Sequence, residues 1–302
     1  MKKEIRPYTY EVLKDDILML RRDFPEAEVG SIGKSSWGSN LYYIKLGTGE
    51  KKIMYNGAHH GMEWLTSAML MRFTRDFLEA KLSGRALHGF NVKTLWRRCS
   101  LYIVPMVNPD GVQLSAEGLP CRLPQSEKQR LLRMNGKSDF THWQANARGV
   151  DLNHNYDAMW QESKAMEKDY GIYSPGPTRF SGTHPESEPE SHALARFTRM
   201  HGFRLTISFH SQGKVIYHGF LKKEPPRSLA IAKAYTKISP YRLDETEGIA
   251  SYGGFKDWFV DKFNFPGYTV EVGEGQNPLP TVQLPQIYKE TLPILLGTMT
   301  VL

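Results

Sequence analysis

The chain has 302 residues, of which 40% are hydrophobic, 24% charged and 12% aromatic, and these are the proportions of a globular protein. This composition excludes disordered, collagen-like and coiled-coil chains, and the sequence lacks the run of about 18 apolar residues that a membrane-spanning helix needs. The net charge of +7 comes from scattered lysines and arginines, without the basic stripe that a nucleic-acid-binding protein presents. We therefore expect neither a nucleic acid nor a membrane as a partner.

The amino-terminal segment begins with charged residues and continues without an apolar stretch, so it lacks the pattern of a secretory signal peptide. This predicts a cytoplasmic location, and the forespore is one compartment that it allows. The two cysteines, Cys99 and Cys121, are too few for a disulfide framework or a four-thiolate zinc site. We expect two reduced, partly buried thiols. The oligomeric state is left open.

Hydrophobic spacing predicts the elements of the first third of the chain. Apolar residues at helical spacing over 9–24 predict an amphipathic helix. Two short strands follow at 41–46 and 52–55, and the glycines between them favour a hairpin. A strong helical repeat covers 62–82, and the nearly all-apolar run 101–107 predicts a buried central strand.

The second part of the chain starts with a turn pattern at 108–111 and an irregular segment over 110–185, and long segments of this kind are usually functional. Helix and strand patterns then alternate, at 186–201 (helix), 205–209 (strand), 227–239 (helix), 267–272 (strand) and 282–298 (helix). Strands that alternate with helices predict an α/β fold with a largely parallel sheet. Since no linker or repeat interrupts the pattern, we expect residues 1–302 to form a single domain.

The first candidate for chemistry is the pair His60 and Glu63, which follows a predicted strand and opens the helix at 62–82. Three residues apart in a helical turn, an imidazole nitrogen and a carboxylate oxygen can point at one ion, and both suit zinc. The spacing alone is weak, because it recurs at His154 and Asp157. The position at the carboxyl end of a strand is stronger, because open α/β sheets bind ligands there.

Two further strands end in residues that complete such a site. The run Leu205–Phe209 leads directly into His210, which offers a third ligand. Glu271 is a single acid within an apolar, β-branched run, where a carboxylate needs a partner or a purpose. Two histidines and one glutamate leave a zinc position open for water, and Glu271 could accept the proton of that water.

Taken in order, these segments resemble the zinc carboxypeptidase superfamily typified by carboxypeptidase A. The matching pieces are His60-Gly-Met-Glu63-Trp64, Asn108-Pro-Asp-Gly111, Gly149-Val-Asp-Leu-Asn153-His-Asn155, Ser208-Phe-His210-Ser211, Gly253-Gly254 with Asp257-Trp258, and Thr269-Val-Glu271-Val-Gly273. The resemblance implies a three-layer α/β fold in which a mixed, largely parallel central sheet has helices on both faces. It also implies one zinc ion per chain, held by His60, Glu63 and His210.

The same resemblance implies Glu271 as the general base and Arg148 as the residue that polarises the scissile carbonyl. It places Asn153 and His154 against the substrate, where the family's exopeptidases hold a terminal carboxylate with an Asn-Arg pair. Histidine lacks the bidentate guanidinium fork and is mostly neutral at pH 7. This departure argues against plain carboxypeptidase activity.

A narrower resemblance is to the bacterial gamma-D-glutamyl-diamino-acid endopeptidase I group. The pieces that carry it are Gly149-Val-Asp-Leu-Asn153 with a following non-arginine, Gln212-Gly-Lys-Val-Ile-Tyr217, Ser251-Tyr-Gly-Gly-Phe-Lys-Asp-Trp258, and Glu271-Val-Gly-Glu-Gly-Gln-Asn277-Pro-Leu-Pro280. The group implies hydrolysis of the amide between the side-chain carboxyl of D-glutamate and a diamino acid, diaminopimelate or lysine, in peptidoglycan-derived peptides. A carboxypeptidase or amide deacylase on the same scaffold, and a catalytically silent muropeptide-binding module, are the alternatives that the residues leave open.

Overall fold

The computed structural model describes residues 6–302, and this part of the chain builds one eight-stranded sheet and one two-stranded sheet. The strands are β1 (Glu28–Lys34), β2 (Asn40–Leu46), β3 (Lys51–Gly57), β4 (Ala86–Leu87), β5 (Phe90–Asn91), β6 (Cys99–Val104), β7 (Leu205–His210), β8 (Val215–His218), β9 (Arg242–Leu243) and β10 (Gly267–Glu271). The helices are α1 (Tyr10–Asp23), α2 (Leu65–Ser83), α3 (Val92–Arg98), α4 (Pro109–Glu117), α5 (Gln125–Asn135), α6 (Trp160–Met166), α7 (Pro189–His201), α8 (Ser228–Ile238), α9 (Phe255–Phe263) and α10 (Leu284–Thr298).

The large sheet has the strand order β1-β2-β6-β3-β7-β10-β8-β9. Its centre is parallel, because β3 pairs in parallel with both β6 and β7, and β7 pairs in parallel with β10. Antiparallel pairs join β1 to β2, β2 to β6, and β8 to β10. The structure thus confirms the predicted mixed, largely parallel sheet.

Residues on the two faces of the sheet belong to two different hydrophobic clusters. On β3, Ile53 and Tyr55 pack in the cluster that contains Phe73 of α2 and apolar residues of α1, α8 and α10. Met54, which points to the opposite face, belongs to the cluster formed with α7 and α9. The alternation along one strand therefore places helices on both faces, as the sequence predicted.

The hairpin predicted between the strands at 41–46 and 52–55 is wrong, because β6 lies between β2 and β3 and pairs with both. The glycines of the connection between β2 and β3 allow its backbone to pass close to the backbone of another segment. A Cβ at Gly47 would lie 2.2 Å from the Cys99 carbonyl oxygen, and one at Gly49 would lie 2.2 Å from the Arg98 carbonyl carbon. The connection thus passes directly over the start of β6.

The turn predicted at 108–111 is the start of α4. The Asn108 side chain caps this helix by accepting a hydrogen bond from the Gly111 N–H at 2.9 Å, and Pro109 occupies its first position. The segment at 110–185, expected to be irregular, also contains α5 and α6. It has a small hydrophobic cluster of its own, formed by Leu114, Leu131, Phe140, Trp143 and Ala145.

Within residues 6–302, both cysteines are free, with Cys99 buried and Cys121 exposed. The partial burial expected for Cys121 is therefore wrong. No helix in this part of the chain combines the length and the hydrophobicity needed to cross a membrane.

Candidate active site

Three neighbouring strands at the centre of the sheet deliver the candidate site residues to one edge. His60 follows β3 by three residues, while His210 and Glu271 are the last residues of β7 and β10. His210 and Glu271 are partners in the parallel register of these two strands. Because the three strands are parallel, their carboxyl ends meet, and residues 150 and 211 positions apart in the chain become neighbours.

The donor atoms of His60, Glu63 and His210 form a tight triangle. His60 Nδ1 lies 3.0 Å from Glu63 Oε1, His210 Nδ1 lies 3.0 Å from Glu63 Oε2, and the two Nδ1 atoms are 3.3 Å apart. Three donors bound tetrahedrally to one zinc, with bonds of about 2.0–2.1 Å, would be separated by roughly 3.3 Å. The three side chains are buried and are positioned to hold one metal ion.

The triangle fits zinc in chemistry as well as in spacing. Two imidazole nitrogens and a carboxylate oxygen are a common ligand set for zinc in enzymes. Two imidazole nitrogens at 3.3 Å can share one hydrogen at most, and a cation satisfies both of their lone pairs at once. His60, Glu63 and His210 therefore fit a zinc ion.

Surrounding residues hold the triangle in place. Asp151 Oδ1 lies 3.2 Å from His60 Nε2, which directs the other nitrogen of that ring toward Glu63. Asn277 donates its amide to Glu63 Oε1 at 3.4 Å. His59 is stacked against His210 with ring centroids 5.5 Å apart, and its Nε2 lies 3.0 Å from the Tyr156 hydroxyl.

Charges within the triangle shift the ionisation of its members. Burial alone would raise the pKa of Glu63, but the imidazoles of His60 and His210 outweigh burial and lower it. Burial lowers the pKa of His59 well below its usual value, so this imidazole is neutral at pH 7. Burial, and then the charge of Glu63, raise the pKa of Glu271. A carboxylate with a raised pKa close to a metal triangle is suited to accept a proton.

Two cavities meet at the triangle. The first, of about 640 Å³, is lined by His60, Met62 and Glu63 and extends past His142 and Asn277. The second, of about 670 Å³, extends in another direction. Five residues line both cavities: His60, Gln144, Thr178, Tyr217 and Glu271. A substrate whose reacting bond lies at Glu271 can therefore place one part in each cavity.

The structure brings Asn153 and His154 into the second cavity, together with His60 and Glu271. The Asn153 side chain accepts a hydrogen bond from the Phe255 N–H at 3.1 Å, which leaves its amide group free to donate. Burial lowers the pKa of His154, so its ring is neutral at pH 7.

Arg148, which the sequence analysis placed at the scissile carbonyl, does not line either cavity. Its side chain is 55% exposed and its Nε lies 3.9 Å from a Glu188 carboxylate oxygen. Its backbone lies in a tight turn, in which the N–H groups of Arg148 and Val150 both donate to Asn146 Oδ1. Gln144, four residues earlier, lines both cavities instead.

Sequence reasoning missed three residues of the cleft, Gln144, Arg179 and Tyr217. The Thr178 hydroxyl donates to Gln144 Oε1 at 2.7 Å, so the amide nitrogen of Gln144 is free to donate to a ligand. Arg179 lines the second cavity with its guanidinium over the Tyr170 ring. Of these three residues, only Tyr217 could have been found from the sequence, because it lies in a segment that resembles the endopeptidase I group.

Comparisons with known proteins agree with this geometry. A family model described as zinc carboxypeptidase matches residues 15–294. Gamma-D-glutamyl-L-diamino acid endopeptidase 1 of Lysinibacillus sphaericus is 37% identical over 291 residues, which cover 96% of this chain and 72% of that protein. Mast cell carboxypeptidase A of Rattus norvegicus is 27% identical over 282 residues, which cover 86% and 63%.

Solved structures show the same fold at lower identity. Thrombin activatable fibrinolysis inhibitor superposes with a TM-score of 0.76 at 19% identity, covering 98% of this chain and 74% of that chain. The murein-tripeptide amidase MpaA from Escherichia coli O157 superposes with a TM-score of 0.54 at 24% identity, covering 89% and 91%. With the family model spanning most of the sequence, the chain belongs to the zinc carboxypeptidase family and is a zinc metallopeptidase.

Proposed function

We propose that this metallopeptidase hydrolyses the amide between the side-chain carboxyl of D-glutamate and a diamino acid in peptidoglycan-derived peptides. The observation that carries the proposal is a reactive centre at the junction of two cavities, with a neutral His154 where a carboxypeptidase has an arginine. The relative from Lysinibacillus sphaericus, similar over nearly the whole chain, is named for cleavage of this bond.

In this proposal His60, Glu63 and His210 hold one zinc ion per chain. When bound, zinc supplies a Lewis acid that acidifies water and polarises a carbonyl. Glu271 then has two tasks, since it accepts a proton from the attacking water and returns that proton to the departing amine. Its position at the end of β10, where both cavities meet, lets one carboxylate reach the water and the leaving group.

The residues around the centre orient the substrate. The free amide nitrogen of Gln144 can donate to the carbonyl oxygen of the scissile bond, where negative charge develops. In the second cavity, Asn153 and His154 contact the polar end group of the leaving diamino acid. Because His154 is uncharged, Arg179 is the guanidinium that can attract a carboxylate there.

The proposal is tested by mass spectrometry of the products from L-alanyl-γ-D-glutamyl-diaminopimelate, with and without a chelator, beside a panel of ordinary peptides. We expect L-alanyl-D-glutamate and the free diamino acid, and no product in the chelated sample. A longer stem peptide that carries D-alanine after the diamino acid shows whether cleavage requires a free end. Hydrolysis of ordinary carboxyl-terminal bonds without hydrolysis of the γ-D-glutamyl bond would overturn the proposal.

A further inference from the structure

The second cavity contains a buried lysine whose role the proposed chemistry does not explain. Lys256 lies in the first turn of α9 and is 5% exposed, and Asp257 beside it is 3% exposed. Charged side chains are rarely buried this deeply unless they are paired or serve a ligand. Both residues line the second cavity together with His60 and Glu271, so the pair faces the same space as the reactive centre.

The contacts of Lys256 leave part of its ammonium group unused. Its Nζ donates to the Gly219 carbonyl oxygen at 2.8 Å and to the Asp257 carboxylate. An ammonium group has three donors, and residues 6–302 give it no third acceptor. A third hydrogen is therefore available to a ligand in the cavity, and a carboxylate is the acceptor that such a donor binds most strongly.

The lining that surrounds Lys256 also carries the reverse charge. Asp244, Glu245 and Glu247 lie in one exposed segment, and all three line the second cavity with Lys256. An ammonium group that entered between this segment and α9 would meet carboxylates, while a carboxylate beside it would meet Lys256. This end of the cavity is thus complementary to a group that carries both charges.

The position of Lys256 along the cleft matches the leaving side of the substrate. Thr269 precedes Glu271 by two residues on the same face of β10, about 7 Å further from the reactive centre, and it also lines the second cavity. α9 packs beneath this strand, and a Cβ at Gly267 would lie 3.3 Å from the Lys256 carbonyl oxygen. The side chain of the residue whose amine departs at Glu271 would therefore extend toward Lys256.

We propose that Lys256 and the acidic segment 244–247 bind the amino and carboxyl groups at the far end of the diamino acid. The inference rests on the proposed function and makes it more specific. The enzyme would select diaminopimelate, whose side chain ends in both groups, over lysine, whose side chain ends in an ammonium alone. A lysine side chain would leave the third donor of Lys256 without a partner and bring a like charge close to it.

The first test uses the unmodified zinc-loaded protein and three L-alanyl-γ-D-glutamyl peptides. The first peptide ends in diaminopimelate, the second ends in diaminopimelate whose distal carboxyl is amidated, and the third ends in lysine. We expect kcat/KM for the first substrate to exceed those for the other two by roughly 10- to 100-fold, the loss associated with one charge-assisted hydrogen bond. No protein variant is involved, so folding does not affect the comparison.

The second test replaces both buried charges together by Lys256→Gln with Asp257→Asn, which avoids leaving one charge buried alone. We expect the preference for diaminopimelate over lysine to fall at least about 10-fold. Lys262→Met is the matched control on the exposed face of α9, where Lys262 pairs with Asp157, and it should leave the preference unchanged.

The results of these tests distinguish a wrong role for Lys256 from a wrong proposed function. If the unmodified enzyme hydrolyses none of the three substrates, the proposed function is wrong. If it hydrolyses all three at similar rates, or if the double variant keeps the full preference, the function stands and the role of Lys256 is wrong.

Discussion

Two buried carboxylates outside the cleft, Asp110 and Glu190, make the stability of the protein depend on pH. Asp110 accepts hydrogen bonds from the Ser35 hydroxyl at 2.7 Å and from the Trp37 N–H at 2.8 Å. Glu190 accepts hydrogen bonds from the Ser36 N–H at 2.8 Å and from the Asn146 side-chain amide at 3.1 Å. These donors are neutral, so they offset the cost of burying a negative charge only in part.

The size of the pH effect on the free energy of unfolding follows from the pKa shift of Asp110. Burial raises the pKa of Asp110 from 3.8 to about 6, against the opposing effect of its hydrogen bonds. The folded state therefore holds this proton more tightly, and the stability that the proton provides is complete below pH ~4 and lost as the pH rises through ~6. A shift of about two pKa units corresponds to roughly 3 kcal/mol, of which about half develops between pH 5 and pH 8.

Asp110→Asn removes this titration while an amide can still accept from the Trp37 N–H and donate to the Ser35 hydroxyl. Urea unfolding of the wild-type protein and the variant at pH 5, 6, 7 and 8 measures the effect. We expect the stability of the variant relative to the wild type to rise by about 1.5 kcal/mol across that range. Asp15→Asn, on the exposed side of α1, is the control. Parallel pH profiles for the wild type and Asp110→Asn would refute the reasoning.

Three further predictions concern the active site. Glu271→Gln should lower kcat by about 10²–10⁴-fold with zinc content unchanged, because the amide cannot accept the proton. Asp151→Asn should weaken zinc binding by about 10- to 100-fold in a chelator competition, because His60 loses the carboxylate that orients its ring. Arg179→Gln should raise KM more than it lowers kcat, while Gln144→Ala should lower kcat, because in the proposed function Arg179 binds an end group and Gln144 donates to the developing charge.

Each of these predictions has an outcome that contradicts it. Retained turnover in Glu271→Gln would assign the proton transfer to another group. Unchanged zinc affinity in Asp151→Asn would show that the turn around His60 orients the ring without the carboxylate. A loss of kcat in Arg179→Gln that equals the loss in Gln144→Ala would place both residues at the same point of the reaction.

The sequence predicted the centre of the fold well because that centre is buried on both faces. The strands containing His210 and Glu271 are nearly continuous apolar runs, so one polar residue at the end of each was conspicuous. The edge strands β1 and β9, and β8 beside β9, were missed because they are short or half-exposed and lack such a run.

The walls of the cleft were much harder to predict than its centre. The segment between 110 and 185 places Gln144 and Arg179 by hydrogen bonds to individual side chains and backbone groups, and such contacts leave no periodic pattern. The position of Arg148 was hard to predict for the same reason, because several hydrogen bonds to Asn146 shape the turn in which it lies. Residue type alone favoured Arg148 for the place at the scissile carbonyl, whereas the backbone brings Gln144 to the lining of both cavities.

The small hydrophobic cluster around Trp143 has a consequence for the motions of the enzyme. Because this cluster is separate from the two that cover the sheet, we expect the wall formed by α5, which contributes Leu131 to the cluster and ends in Asn135 beside the first cavity, to open more readily than the metal-binding strands. Amide hydrogens of α5 should then exchange with solvent faster than those of β3 and β7. A substrate that touches both the wall and Glu271 would link these units, so its binding should slow exchange in the wall far more than in the sheet.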